Sequence, residues 1–241
     1  MHNIADNFDK VMHRIDVSVK SSKLLTRNPR LLAVSKGQSS QAIREAYHCG
    51  LREFGENYLQ EALTKIQELN DLEDIQWHFI GPVQSNKTRH IAENFSWIHS
   101  VDRLKIAERL SSQRPAHLPD LNICLQVNID NEPSKSGVPP AETGSLALAV
   151  SQLPRIKLRG LMAIPDPDRE NPGRPFAALR ALFQELKSTH PCLKAMDTLS
   201  MGMSSDLEAA IAEGATIVRI GTDLFGPRRI PQQPATDSQT G

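Results

Sequence analysis

The chain has little of what marks secreted, membrane or nucleic-acid-binding proteins. Its three cysteines, Cys49, Cys124 and Cys192, are odd in number, far apart and without a C-x-x-C pair, so neither a disulfide framework nor a zinc site is expected. A reducing compartment fits this usage. Net charge is also absent: 28 Lys plus Arg balance 28 Asp plus Glu, which leaves no overall field to draw the chain to nucleic acid or anionic lipid. No segment approaches the ~18 continuous apolar residues that span a bilayer. The opening MHNIADNFDK has two Asp and no apolar stretch, unlike a secretory signal. A cytoplasmic protein is therefore expected, with no nucleic-acid or membrane partner. The eight histidines include no pair spaced for one metal ion on a helix.

What remains is an ordinary globular composition, 39% hydrophobic and 23% charged with only 5% aromatic residues, rich enough in apolar surface for a core. Its length suits one α/β barrel domain. From Asn3 to Leu25 apolar residues recur at spacings of three and four (Ile4, Phe8, Val11, Met12, Ile15, Val19), the period of a leading amphipathic helix. After Asn28-Pro29 short apolar runs alternate with amphipathic stretches. The runs are Leu31–Ser35, Glu53–Gly55, Gln76–Ile80, Trp97–Val101, Asn122–Ile129, Lys157–Ala163, Thr198–Met201 and Thr216–Ile220. Strands apolar on both faces and separated by helices predict a covered parallel sheet, and eight of them in one domain predict a closed (β/α)8 TIM barrel. That places the barrel over residues 1–229, the leading helix over 1–27, and a polar, proline-bearing, disordered tail over 230–241.

Functional groups in such barrels stand at the C-terminal ends of strands. Lys36 is there, on the same strand face as Leu32 and Val34 by the period of two. An unpaired ammonium at the barrel interior is costly, and a lowered pKa would relieve it and make the amine a nucleophile toward aldehydes; snorkelling at the strand end is the plain alternative. Arg219, set in the apolar run Thr216–Ile220, needs a partner: either a ligand or a salt bridge to Asp223 or Glu56. Ser205 and Glu208 have capping-box spacing at the start of a helix, Ser204 precedes them, and Gly221-Thr222 follows the eighth run. Loops after strands seven and eight are the common phosphate site of these barrels. An aldehyde-reactive lysine, a cation and a phosphate cradle suit pyridoxal phosphate, but equally a Schiff-base aldolase acting on a sugar phosphate. Taken alone, His78 is expected to pack or hydrogen-bond at the barrel rim, and Met201 and Met203 to be core residues.

The ordered motifs are more specific. Leu32-Ala33-Val34-Ser35-Lys36, Phe54-Gly55-Glu56-Asn57-Tyr58, Trp77-His78-Phe79-Ile80-Gly81, Gln84-Ser85-Asn86-Lys87, Val127-Asn128, Lys135-Ser136-Gly137, Arg159-Gly160-Leu161-Met162-Ala163, Leu199 to Ser204 and Arg219-Ile220-Gly221-Thr222 resemble the pyridoxal phosphate homeostasis protein family over nearly the whole chain. The resemblance implies a barrel like the N-terminal domain of alanine racemases, without their second domain. It implies pyridoxal 5′-phosphate held as an aldimine on Lys36, Arg219 near the pyridine nitrogen, Asn57 and Met201 beside the ring, and Ser204, Gly221 and Thr222 around the phosphate. Gly37-Gln38 departs from the Thr-Lys that the family often carries after the lysine.

The family implies a monomeric carrier in vitamin B6 and amino-acid/keto-acid homeostasis without clear catalytic activity, with apo-enzymes as recipients. Chemistry agrees. An arginine at the ring nitrogen cannot accept its proton, so the cofactor would be a poor electron sink. A racemase, the main alternative, needs a second base, and neither Tyr47 nor Tyr58 obviously opposes Lys36. Lys135, on the loop after the fifth strand, is a candidate second amine for release by transimination.

Overall fold

The computed structural model describes residues 3–24, 28–132, 136–166 and 170–227; the expectations for Lys135 and for the tail 230–241 lie outside them. Eight parallel strands close into a barrel in sequence order: β1 (Arg30–Val34), β2 (Glu53–Glu56), β3 (Gln76–Phe79), β4 (Trp97–Val101), β5 (Leu121–Gln126), β6 (Ile156–Met162), β7 (Thr198–Ser200) and β8 (Ile217–Ile220). β8 closes on β1, with Leu32 opposite Arg219. Helices α2 (Ser40–His48), α3 (Leu59–Glu68), α4 (Thr88–Asn94), α5 (Leu104–Gln113), α6 (Pro140–Ser151), α7 (Arg174–Thr189) and α8 (Leu207–Ala212) connect successive strands, and α1 (Ile4–Ser21) precedes them.

The strand period sorts the core into two layers. Leu32, Trp97, Cys124, Met162 and Ile217 turn into the barrel, while their neighbours Ala33, Ile98, Ile123, Leu161 and Val218 pack outward against the helices. Parallel strands covered on both faces need apolar residues at both parities, and that continuous run made them legible. The N-terminal end is filled by Trp97, with the guanidiniums of Arg30 and Arg159 at 4.5 and 4.7 Å from its ring centre. No described helix is long and apolar enough to cross a membrane.

Two local expectations change and one element is added. The Ser205–Glu208 capping box does not form: Asp206 occupies the N-cap of α8 without a side-chain cap bond. Its Oδ1 instead accepts from the Met203 N–H at 2.5 Å, and Arg14 of α1 engages Glu208 at 2.7 Å. β5 stops at Gln126 and not at Ile129, because Val127 makes only an isolated bridge to Val138 while Asn128 turns the chain by bonding both backbone groups of Glu132. A further turn of helix, α9 (Thr222–Phe225), follows β8.

Candidate functional site

At the C-terminal mouth lies a cavity of about 360 Å³, lined in part by Lys36, Gln38, Asn57, Ser204, Arg219, Gly221 and Thr222. A cavity of this size suits a small cofactor.

Lys36 stands two residues beyond β1 and half-buried, on the face of Leu32 and Val34 as the strand period requires. The chain on either side of it is fixed from below. Buried Lys65 of α3 donates to the Ser35 carbonyl at 2.7 Å, to Glu56 at 2.7 Å and to Glu61 at 2.5 Å. The Ser35 hydroxyl donates to the same Glu56 oxygen at 2.6 Å, and the Gly37 N–H donates to Glu61 at 2.6 Å. Gly37 has φ +72°, a left-handed conformation that glycine adopts without a Cβ penalty. Burial pushes the Glu56 carboxyl up, opposed by Lys65. The departure Gly37-Gln38 thus falls at the site itself, with Gln38 in the cavity wall.

Arg219 is buried and its salt-bridge alternative is not realised. Asp223 is bound by Arg14, and Glu56 by Lys65. The guanidinium instead donates to the Ser200 hydroxyl at 2.8 Å and to the Ala163 carbonyl at 2.9 Å. Burial lowers its pKa to about 10, and it stays charged at neutral pH.

Ser204 lies on the loop after β7, Gly221 directly follows β8, and Thr222 opens α9. A Cβ at Gly221 would come within 3.2 Å of the Val34 carbonyl oxygen, so a bare backbone is what lets this loop close on β1. Arg14 ties the two loops together from α1: it donates to the Ser204 carbonyl at 2.9 Å and engages both Glu208 and Asp223. Arg14→Leu is therefore expected to cost only about 1 kcal/mol of stability, since the pairs are partly exposed. It should nonetheless loosen both loops, read as faster amide hydrogen exchange over residues 203–206 and 221–225; unchanged exchange would show that α1 is a mere outer layer.

The structure brings six of the seven sequence-selected residues to this cavity. Met201 is the exception: it is fully buried in the core, and Met203 lines the wall in its place. Neither tyrosine lines it; Tyr47 donates to Asp74 at 2.5 Å and Tyr58 is exposed. His78 is not at the rim. It is buried inside the barrel, stacked on Trp97 with ring centres 5.5 Å apart and 2.9 Å from His99, whose other nitrogen meets the Ser200 hydroxyl at 2.7 Å.

Burial holds both histidines well below 6.5, with the neighbouring His99 and Arg219 charges adding to it respectively. The unfolded chain takes up these protons near pH 6.5 and the folded chain does not. Stability is then fully present above that pH and falls on acidification, by up to about 1.4 kcal/mol per pH unit for each histidine. Denaturant midpoints from about pH 7.5 to about 5 should show this slope, and replacing His99 by Leu should reduce it; a pH-independent midpoint would contradict it.

The residues missed from sequence are those acting from other elements. His99 carried a signal, a histidine inside the apolar run Trp97–Val101. Lys65 carried a weaker one, its spacing of four from Glu61, and Arg14 none.

The alanine racemase N-terminal domain family matches residues 7–229. The pyridoxal phosphate homeostasis protein of Pseudomonas aeruginosa is 58% identical over 95% of this chain and 97% of its own length. That of Escherichia coli is 50% identical, over 95% and 98%. PipY of Synechococcus elongatus, solved with pyridoxal phosphate bound, superposes with a TM-score of 0.82 at 41% identity, covering 92% of this chain and all of that one. Alanine racemase of Corynebacterium glutamicum, at 17% identity and a TM-score of 0.64, shares the fold. The chain belongs to the alanine racemase N-terminal domain family. Within that family it groups with the pyridoxal phosphate homeostasis proteins.

Proposed function

We propose that this protein carries pyridoxal 5′-phosphate bound through the Lys36 amine as a Schiff base, and buffers or delivers it without catalysing a reaction of its own. The observation that carries the reading is the convergence of Lys36, Asn57, Arg219, Ser204, Gly221 and Thr222 on one cavity. The residues fit the group. Asn57 brings to the cavity wall a side-chain amide whose buried Oδ1 has no hydrogen-bond partner, a polar group not satisfied within the protein and costly to leave so. Arg219 offers donors to a ring nitrogen, and the loops of Ser204, Gly221 and Thr222 offer hydroxyl and backbone N–H groups to a phosphate.

The cofactor is an electron sink when its ring nitrogen is protonated. A charged arginine has no lone pair to share that proton, so Arg219 holds the nitrogen as an acceptor and keeps the sink weak. Racemisation needs a second base across from the lysine, and among the described residues of the cavity wall there is neither a tyrosine nor a histidine. The reading includes a monomer in the cytoplasm that supplies apo-enzymes in vitamin B6 and amino-acid/keto-acid balance.

The test is incubation with pyridoxal phosphate, followed by dialysis and absorption spectroscopy. A retained yellow band with no racemisation of a panel of amino acids is expected. A colourless protein that instead cleaves a sugar phosphate would overturn the reading in favour of an aldolase. Delivery is testable through Lys135, proposed as the second amine that takes the cofactor from Lys36. Lys135→Ala, loaded to the same occupancy as wild type, should activate an apo-enzyme more slowly; equal rates would rule the relay amine out.

A further inference from the structure

A buried chain of hydrogen bonds runs from Arg219, at the floor of the cavity, toward the opposite end of the barrel, and its direction can be deduced. A guanidinium only donates, so the Ser200 hydroxyl accepts from Arg219 at 2.8 Å. Ser200 still has its own proton to place, and its other side-chain partner, at 2.7 Å, is His99 Nδ1; a neutral His99 that accepts there leaves no buried hydroxyl proton unmet. His99 is then the Nε2–H tautomer and donates to His78 Nδ1 at 2.9 Å. That makes His78 the Nε2–H tautomer as well. Its Nε2 faces Glu53 Oε2 at 3.8 Å, beyond hydrogen-bond reach, and neither of these two buried atoms has a hydrogen-bond partner. Every hydrogen bond points one way, from the guanidinium to His78, whose far nitrogen faces a carboxylate that Arg30 holds by its other oxygen at 3.1 Å.

We propose that Ser200, His99 and His78 form a one-way relay that positions Arg219 and links it to the Glu53 carboxylate as its distant counter-charge, and so sets how firmly Arg219 engages the nitrogen of a bound pyridine ring. The proposal rests on the cofactor reading above and adds positioning residues that do not line the cavity. Its physical basis is the cost of burying a guanidinium with no acid in direct contact, Asp206 acting on it only through space. A directly paired carboxylate would occupy the N–H groups that Arg219 presents to a ligand. The relay stabilises the charge from below, through aligned dipoles in a low-dielectric interior, and leaves the remaining N–H edge for the cavity. The walls hold the relay in register: Trp97 stacks on His78 at an interplanar angle of 4° and lies 5.9 Å from the His99 ring. The charged groups acting on the two imidazoles are Arg219 and Arg30 on His99, and Arg30 with Glu53 on His78. A protonated His99 would turn a second donor toward Ser200, so the relay works only with both rings neutral.

Two measurements test this. In the cofactor-free protein, long-range nitrogen–proton NMR should show His78 and His99 both as neutral Nε2–H tautomers; a proton on His99 Nδ1 would overturn the relay. In the loaded protein, His99→Leu and Ser200→Ala should weaken pyridoxal phosphate uptake about ten-fold, the size of one hydrogen bond to a charged group, and shift the absorption band or its pH profile. His99→Gln, whose amide can accept from Ser200 and donate to His78, should restore wild-type values, and Glu53→Gln should shift the band although it stands far from the cavity. If wild type loads normally and His99→Leu matches it in uptake, band and pH profile, the relay is wrong and the cofactor reading stands. If wild type takes up no pyridoxal phosphate, the cofactor reading falls, and the relay's action on a ring with it.

Discussion

Lys36→Ala is expected to abolish covalent capture of pyridoxal phosphate while leaving the fold intact. Borohydride reduction of loaded wild type should fix the cofactor on the peptide containing Lys36, and the variant should show no adduct there. The loss should be complete because only an amine can form the bond. The fold should survive because the elements that hold this stretch bind the backbone and side chains of its neighbours. Ser35 is bound by Lys65 and Glu56, and Gly37 by Glu61; none of these contacts passes through the Lys36 side chain. A main adduct mapped elsewhere in the chain would sink the assignment, and a denatured variant would show that this rim depends on the lysine itself.

Arg219→Glu is expected to have the second largest effect, and it should appear in two observables. In the loaded protein a carboxylate would stand where the guanidinium stood, able to share a proton with the ring nitrogen, so the absorption band or its pH dependence should shift. In the unloaded protein stability should fall by on the order of 3 kcal/mol, the cost of a buried charge left uncompensated. The new carboxylate would face the Ala163 carbonyl, now an acceptor against an acceptor, although Ser200 could turn its hydroxyl to it. Denaturant melts and a spectral pH titration read the two effects separately. A variant with wild-type spectrum and pH profile would mean that Arg219 acts away from the cofactor.

Much of this architecture was legible in the residue order. A parallel strand buried on both faces must be apolar at both parities, so the runs at Trp97–Val101 and Thr216–Ile220 marked β4 and β8 within a residue or so. Period two put Lys36 on the face of Leu32, and closure of eight strands put Arg219 beside β1. Where the reading failed, a side chain had a better partner from elsewhere. Glu208 has the spacing of a capping residue, but Arg14, 194 positions away, takes its carboxylate.

The chain order by itself determined the barrel, the lysine at the end of β1, the arginine in β8 and the glycine-bearing loop after it, because strand periodicity and backbone requirements are local. Only the tertiary structure decided which groups surround them. It set Lys65 and Glu61 beneath Lys36, had Arg14 tie Ser204 to Asp223, and placed Met203 rather than Met201 in the wall. It also aligned His78, His99 and Ser200 below Arg219. Those contacts join residues as much as 209 positions apart, and hydrogen-bond partners at such separations are chosen by the packing of whole elements, which no short-range pattern encodes.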